Sequence, residues 1–250
     1  MTNFPKGPLT GKVAWVTGAS SGIGAATVTR LTELGAEVAG LDLAVPTTSP
    51  GPFAQVDVSD PTSVTRAATE LTAQCGPADI LVLAAGTGGQ GGRTLLEADL
   101  ADWNRVFDVN VGGILLMIRS CMGGMIERGW GRIVTVSSGA GTRVYPTAGA
   151  YAVSKAAVMA LTKIAAHEGG PHGVTVNSVA PGLTDTAMLR ASHPDPDKLA
   201  ALVANSPVSN PMKYLLQPED QAAAISWFCL PEAAHVTGQT LYVNGGSYMP

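Results

Sequence analysis

Apolar residues along the chain recur in two alternating periods. Short runs rich in β-branched positions, suited to strands buried on both faces, alternate with longer stretches whose apolar residues return at helical spacing. The first run covers 12–16 and leads into a turn at Gly18; helical spacing over 23–34 follows and stops at Gly35. The same pattern predicts strands over 36–41 and 53–56, a helix over 61–74, a strand over 79–84 and a helix around 102–127. Beyond these it predicts a strand over 132–136, a helix over 148–168, a strand over 174–179, a helix over 218–230 and a strand over 239–243.

Strands alternating with helices imply the α/β class, a doubly wound Rossmann-like parallel sheet with helices on both faces. Two segments break the rhythm. Residues 43–52 carry three prolines and a glycine, too broken for a helix, so this crossover is expected to be a loop. Residues 184–218 carry five prolines after Arg190 and one short helical stretch near 198–203, which predicts a mobile segment covering an active site. No internal repeat or composition break marks a second domain, so residues 1–250 read as one.

Composition narrows the function. With 250 residues, 46% hydrophobic and 14% charged, the chain can bury a large core. A net charge of −4 offers no attraction to nucleic acid or an anionic membrane and leaves a small molecule as the expected partner. Cys75, Cys121 and Cys229 sit in no CxxC pair and near no suitably spaced histidine, so no metal is expected and packing roles are. The first ten residues lack the apolar stretch of a secretory signal, and apolar runs such as 111–118 fall short of the roughly 20 residues that span a bilayer. A soluble, cytoplasmic protein is the expectation.

The chemistry begins at Thr17-Gly18-Ala19-Ser20-Ser21-Gly22-Ile23-Gly24, where a strand ends and a helix starts. Backbone N–H groups and the helix dipole at such a turn can hold a pyrophosphate. Asp42 ends the second predicted strand, 18 residues after Gly24, where a carboxylate can accept hydrogen bonds from ribose hydroxyls and repel a 2′-phosphate. Neither Ser21 nor Leu43 supplies a cation for that phosphate, so NAD is favoured over NADP. A second group lies further on. Tyr151 and Lys155, four residues apart on a predicted helix, share a face, and a cation there can draw the phenol toward phenolate. Ser138, after the strand over 132–136, offers a hydroxyl to a substrate oxygen, and Asn110 is a fourth polar candidate.

With these motifs in this order and spacing, the whole chain resembles the short-chain dehydrogenase/reductase family in its branch of about 250 residues with a single Rossmann-like domain. The resemblance rests on Thr17-Gly18-x-x-x-Gly22-x-Gly24, Asn110, Ser138 thirteen residues before Tyr151, Tyr151-x-x-x-Lys155 and Pro181-Gly182-x-x-x-Thr186. It implies Tyr151 as catalytic acid/base and Ser138 as the holder of the substrate oxygen. It implies Lys155 on the nicotinamide ribose, lowering the tyrosine pKa, and Asn110 supporting a relay water. For cofactor contacts it implies, besides the glycine turn (Gly18, Ser20, Ser21, Gly22, Ile23, Gly24) with Asp42 and Leu43, Asp57 and Val58 at the adenine end and Ala85 and Gly86 near the ribose. Pro181, Gly182, Thr184 and Thr186 fall at the nicotinamide. The family is commonly a homotetramer, with helices like those over 102–127 and 148–168 between subunits.

One departure stands out: the family usually carries Asn-Asn-Ala-Gly where this chain has Leu83-Ala84-Ala85-Gly86. The second asparagine mainly ties adjacent strands, so its loss bears on local stability and cofactor geometry. The glycine-rich run over 86–92 lacks the lysine and Ser/Thr of a phosphate loop and is expected to form a flexible rim.

The reading is an NAD-dependent oxidoreductase interconverting a secondary alcohol and a ketone. The alternative, a non-catalytic NAD(H)-binding sensor or scaffold, is opposed by the intact Ser138, Tyr151 and Lys155. A sugar epimerase of the extended relatives is opposed by the length and the glycine spacing. Val144, Tyr145, Pro146, Met188, Leu189 and Met212 predict a largely apolar pocket, while Arg93, Arg143 and Arg190 could instead bind a carboxylate or phosphate.

Overall fold

A computed structural model of the chain describes residues 7–46, 51–143, 147–206 and 209–249. Strands β1 (Val13–Thr17), β2 (Glu37–Asp42), β3 (Phe53–Gln55), β4 (Ile80–Leu83), β5 (Gly131–Val136), β6 (Val174–Pro181) and β7 (Thr240–Val243) form one sheet. Their order is β3-β2-β1-β4-β5-β6-β7, and every neighbouring pair is parallel. All seven predicted strands are present. The order reverses between β1 and β4, so the carboxyl ends of these strands open a crevice where α/β sheets bind ligands.

Helices cover both faces. On one lie α2 (Pro61–Cys75), α4 (Gly113–Glu127) and α5 (Gly149–Gly169), meeting Trp15, Leu81 and Ile133 of the strands. On the other lie α1 (Gly22–Glu33) and α8 (Pro218–Cys229), meeting Ala14, Val16, Ile80, Val82 and Val134. Successive strand residues thus alternate between two apolar layers, and a fully buried large side chain contributes about 1.5–3 kcal/mol.

The predicted helix around 102–127 is observed as a longer continuous unit. It starts with α3 (Leu100–Phe107), because the Asp99 carboxylate accepts from Ala101 N at 2.9 Å and caps it. A π turn, Asp108–Gly112, then joins α3 to α4 and carries Asn110. By length and composition this 28-residue helix could cross a membrane, with a mean hydropathy of 1.5 over its most apolar 18 residues, but Ile114, Met117, Ile118, Met122 and Met125 are buried against the sheet.

The covering segment holds more helix than expected: α6 (Ala187–Ser192) and α7 (Pro196–Asn205), capped by Thr186 and Asp195. Its two ends are tied to each other, since Asp185 N donates to Leu216 O at 2.8 Å and Leu216 N to Leu183 O at 3.1 Å. In the 43–52 crossover, Gln55 Nε2 donates to Leu43 O at 2.9 Å; residues 47–50 lie outside the described residues.

Candidate active site

The glycine turn packs against the end of β4. Gly18 has φ +70°, and a Cβ there would sit 2.9 Å from Ala85 N and 3.0 Å from the Ala84 carbonyl. At Gly24 a Cβ would fall 2.0 Å from Gly18 O, so the turn and the helix close only without side chains. Ser21 precedes α1 without capping it, leaving the N–H groups of Gly22, Ile23 and Gly24 without intrahelical acceptors at the positive end of the dipole. Gly22 faces the cover: a Cβ there would lie 3.1 Å from Thr186 Cγ2.

Asp42 stands beside this turn. Its Oδ2 accepts from Ser20 N at 2.9 Å and its Oδ1 from Ala44 N at 3.0 Å. Each carboxylate oxygen keeps a further lone pair. Asp57 is engaged locally, its Oδ1 accepting from Ser59 N at 2.9 Å and Ser59 Oγ at 2.6 Å, while Val58 is buried against Gly113. Where the family's strand-tying asparagine is missing, Thr17 supplies the link. Its Oγ1 accepts from Ala85 N at 3.1 Å and donates to Val82 O at 3.4 Å.

The hydroxyl, amine and amide groups converge at the ends of β4 and β5. Ser138 accepts from Ala140 N at 3.1 Å, and its hydroxyl faces the Tyr151 phenol, near enough to act on its pKa. Lys155, one turn on from Tyr151 in α5, is buried; its Nζ donates to Val136 O at 2.9 Å and lies 5.7 Å from the tyrosine ring centroid. Burial without a carboxylate partner lowers the Lys155 pKa to about 8. The phenol moves the other way: burial raises its pKa, opposed by the Ser138 hydroxyl. This differs from the expectation that the lysine draws the phenol down, because both groups lose water and neither charged form is favoured.

Asn110 is fully buried. Its Oδ1 accepts from Thr87 N at 2.8 Å, and its Nδ2 donates to Thr87 O at 3.0 Å and Ser154 Oγ at 3.0 Å. The side chain therefore clamps the loop after β4 onto α5, beside Gly86, whose Cβ would lie 3.2 Å from Asn110 Oδ1 and 3.3 Å from Lys155 Nζ. The glycine run expected to be flexible is pinned at several points. Besides Thr87, Gln90 N donates to Asp102 Oδ2 at 2.7 Å and Gly92 N to Thr147 O at 3.3 Å.

The cover brings Thr184 and Thr186 to the same crevice. Pairing with Leu216 uses Leu183 O and Asp185 N, so the N–H and C=O of Thr184 point to the opposite edge, as an amide group would require. Pro181 ends β6 and Gly182 follows it, so close to Asn244 that a Cβ would lie 2.8 Å from its Cα.

Beside Tyr151 a cleft of about 420 Å³, open to solvent, is lined by Gln90, Arg93, Thr94, Asp102 and Trp103. This wall is more polar than the apolar pocket expected. Met188 lies over Gly88, Met212 is exposed away from it, and Val144, Tyr145 and Pro146 lie outside the described residues. Of the three arginines, Arg190 is paired to Asp185 through two 2.6 Å bonds and Arg143 donates to Ser247 O at 2.6 Å, which leaves Arg93 on the cleft.

Three donor and acceptor sets therefore lie along one crevice: free N–H groups at α1, the Asp42 carboxylate and the Thr184 backbone. They fit the pyrophosphate, ribose diol and carboxamide of a nicotinamide dinucleotide. Two contributors escape a reading of the sequence. Thr17 looks like the first residue of the turn, and Gln221 looks like a solvent-facing position of α8. The signal for Gln221 is its spacing: it shares a helical face with Ile225 and Phe228, both buried.

The sequence pattern of the family described as enoyl-(acyl carrier protein) reductase matches residues 18–248. The chain is 37% identical to the 3-oxoacyl-(acyl carrier protein) reductase of Vibrio harveyi, covering 96% of this chain and 99% of that one. It is 35% identical to the acetoacetyl-CoA reductase of Allochromatium vinosum, covering 95% and 99%. Among solved structures, a short chain dehydrogenase/reductase family protein is 33% identical with a TM-score of 0.84, over 96% and 99% of the two chains. The aldohexose dehydrogenase of Thermoplasma acidophilum is 30% identical with a TM-score of 0.89, over 97% and 96%.

Proposed function

The chain belongs to the short-chain dehydrogenase/reductase family of nicotinamide-dependent oxidoreductases, and we propose that it interconverts a secondary alcohol and a ketone with NAD, using Tyr151 as general acid/base. The observation that carries this reading is the convergence of three groups: the Ser138 hydroxyl facing the Tyr151 phenol, and Lys155 Nζ buried 5.7 Å from the tyrosine ring.

The bound nicotinamide supplies or accepts the hydride. In the reducing direction the substrate oxygen takes its hydrogen bond from Ser138 and its proton from Tyr151. A phenol whose pKa is raised by burial is fully protonated at neutral pH, ready to donate. Lys155, with a pKa of about 8, is still largely cationic there and stabilises the phenolate as it forms. Asn110 holds the backbone after β4 against α5 and so fixes the floor beneath both. In the oxidising direction the same groups act in reverse. Asp42, with no lysine or arginine in residues 43–52, favours the ribose diol of NAD over a 2′-phosphate.

The substrate is a small molecule whose ketone or alcohol sits by Tyr151 and whose remainder extends into the cleft. The relatives' names specify 3-oxoacyl and acetoacetyl groups, so 3-oxoacyl and 3-hydroxyacyl thioesters head the panel of compounds. Leu115, Val153 and Ile164 are 43%, 45% and 56% exposed on α4 and α5, which supports a homotetramer, or at least a homodimer, packed through these helices in the cytoplasm. No nucleic-acid or membrane partner is part of the proposal. The test is absorbance of reduced nicotinamide, with NAD or NADP offered alongside thioesters, secondary alcohols, hydroxysteroids and sugars. Turnover with NAD supports the reading, and a clear NADP preference overturns the role of Asp42.

A further inference from the structure

Gln221 is fully buried on the apolar face of α8, a position where a leucine or methionine would leave no polar group to satisfy. Both hydrogens of its amide nitrogen are used. Nε2 donates to Thr184 Oγ1 at 3.2 Å and to Val243 O at 2.9 Å, while Oε1 has no hydrogen-bond partner. Burying an amide with an orphaned oxygen is unfavourable, so the residue is a poor choice for packing alone. Its bonds join the two strand ends that border the crevice. Thr184 Oγ1 passes its own proton to Gly182 O at 3.0 Å, and Val243 O also accepts from Gly182 N at 3.0 Å.

The Thr184 hydroxyl thereby both donates and accepts within the fold, so its proton is not available to a ligand and its role is structural. What Thr184 offers to the crevice is its backbone N–H and C=O, left free on the edge opposite Leu216. We propose that Gln221 is a positioning residue for the nicotinamide half of the site: its buried amide locks Thr184 to the end of β7 and so sets the backbone edge that receives the carboxamide. The inference rests on the dinucleotide reading above. Gln221 itself does not touch the cofactor; it acts through Thr184.

The experiment compares dissociation constants of NADH and ADP-ribose, which lacks the nicotinamide, for the wild-type protein, Gln221→Leu and Thr184→Val. Wild type is expected to bind NADH more tightly than ADP-ribose. Each variant is expected to weaken NADH about three- to tenfold, the worth of one hydrogen bond, with ADP-ribose within twofold. The double variant, which removes both partners together, is expected to be no worse than either single one. Equal losses for the two ligands, or none for NADH in folded variants, overturn the positioning role. Should Gln221→Leu fail to fold, Thr184→Val decides alone. If wild type binds ADP-ribose and NADH equally, the nicotinamide subsite itself falls, and the proposal with it.

Discussion

The Asp42 carboxylate closes on the glycine turn, with Oδ2 accepting from Ser20 N at 2.9 Å. One residue thus shapes the glycine turn and, in the proposed function, presents charge to the adenosine ribose. Asp42→Ser is expected to weaken NAD by about 10- to 100-fold, as befits hydrogen bonds to a charged group, and to raise the NADP/NAD preference. Steady-state KM values for both cofactors check this. An unchanged ratio contradicts it.

Folding lowers the Lys155 pKa from 10.5 to about 8, so the unfolded chain binds this proton more tightly between those values. Stability then rises with pH across that window, and below it the folded protein carries the buried ammonium at a cost of roughly 3 kcal/mol. Lys155→Met gives up the bond to Val136 O but relieves that cost, for a net gain of about 1–3 kcal/mol at neutral pH. The gain shrinks as pH rises above about 8. Thermal unfolding at neutral and alkaline pH measures it, alongside an expected loss of activity. A less stable variant at neutral pH contradicts the account.

Thr17 joins β1 to the residues after β4 where the family's asparagine is absent. Thr17→Val keeps the shape and strands the Ala85 N–H, at an expected cost of about 1–2 kcal/mol in urea unfolding. A neutral substitution would mean that Ala84 left no gap to bridge.

The inner strands were legible because they are buried on both faces, as in β4, whose four apolar residues are all buried, whereas the edge strands β3 and β7 are partly exposed. The start of α2 at Pro61 is fixed by a cap, Asp60, which accepts from Thr62 N at 2.9 Å. The start of α3 needed the same rule applied to Asp99. The six-residue helix α6 is too short to show a period among prolines; its Thr186 cap and the Arg190–Asp185 pair stabilise it instead. The motif residues Asn110, Ser138, Tyr151 and Lys155 were legible as a set, and the structure brings them together. The pKa directions were not, since they depend on how much water each side chain loses. Gln221 was hidden because polarity alone suggests an exposed position.

Ser138→Ala removes the hydroxyl that faces the phenol and the proposed holder of the substrate oxygen. The expected loss is about 10²- to 10³-fold in kcat with cofactor affinity preserved. A drop confined to cofactor binding would reassign Ser138.

The measurement closest to the central claim sets turnover of wild type against Tyr151→Phe with NAD and the best compound of the panel, with NADH binding titrated in parallel. NADH binding is expected to be unchanged and activity to fall by at least about 10³-fold. Turnover surviving in the variant, or a wild-type protein that binds NADH and turns over nothing, would contradict it.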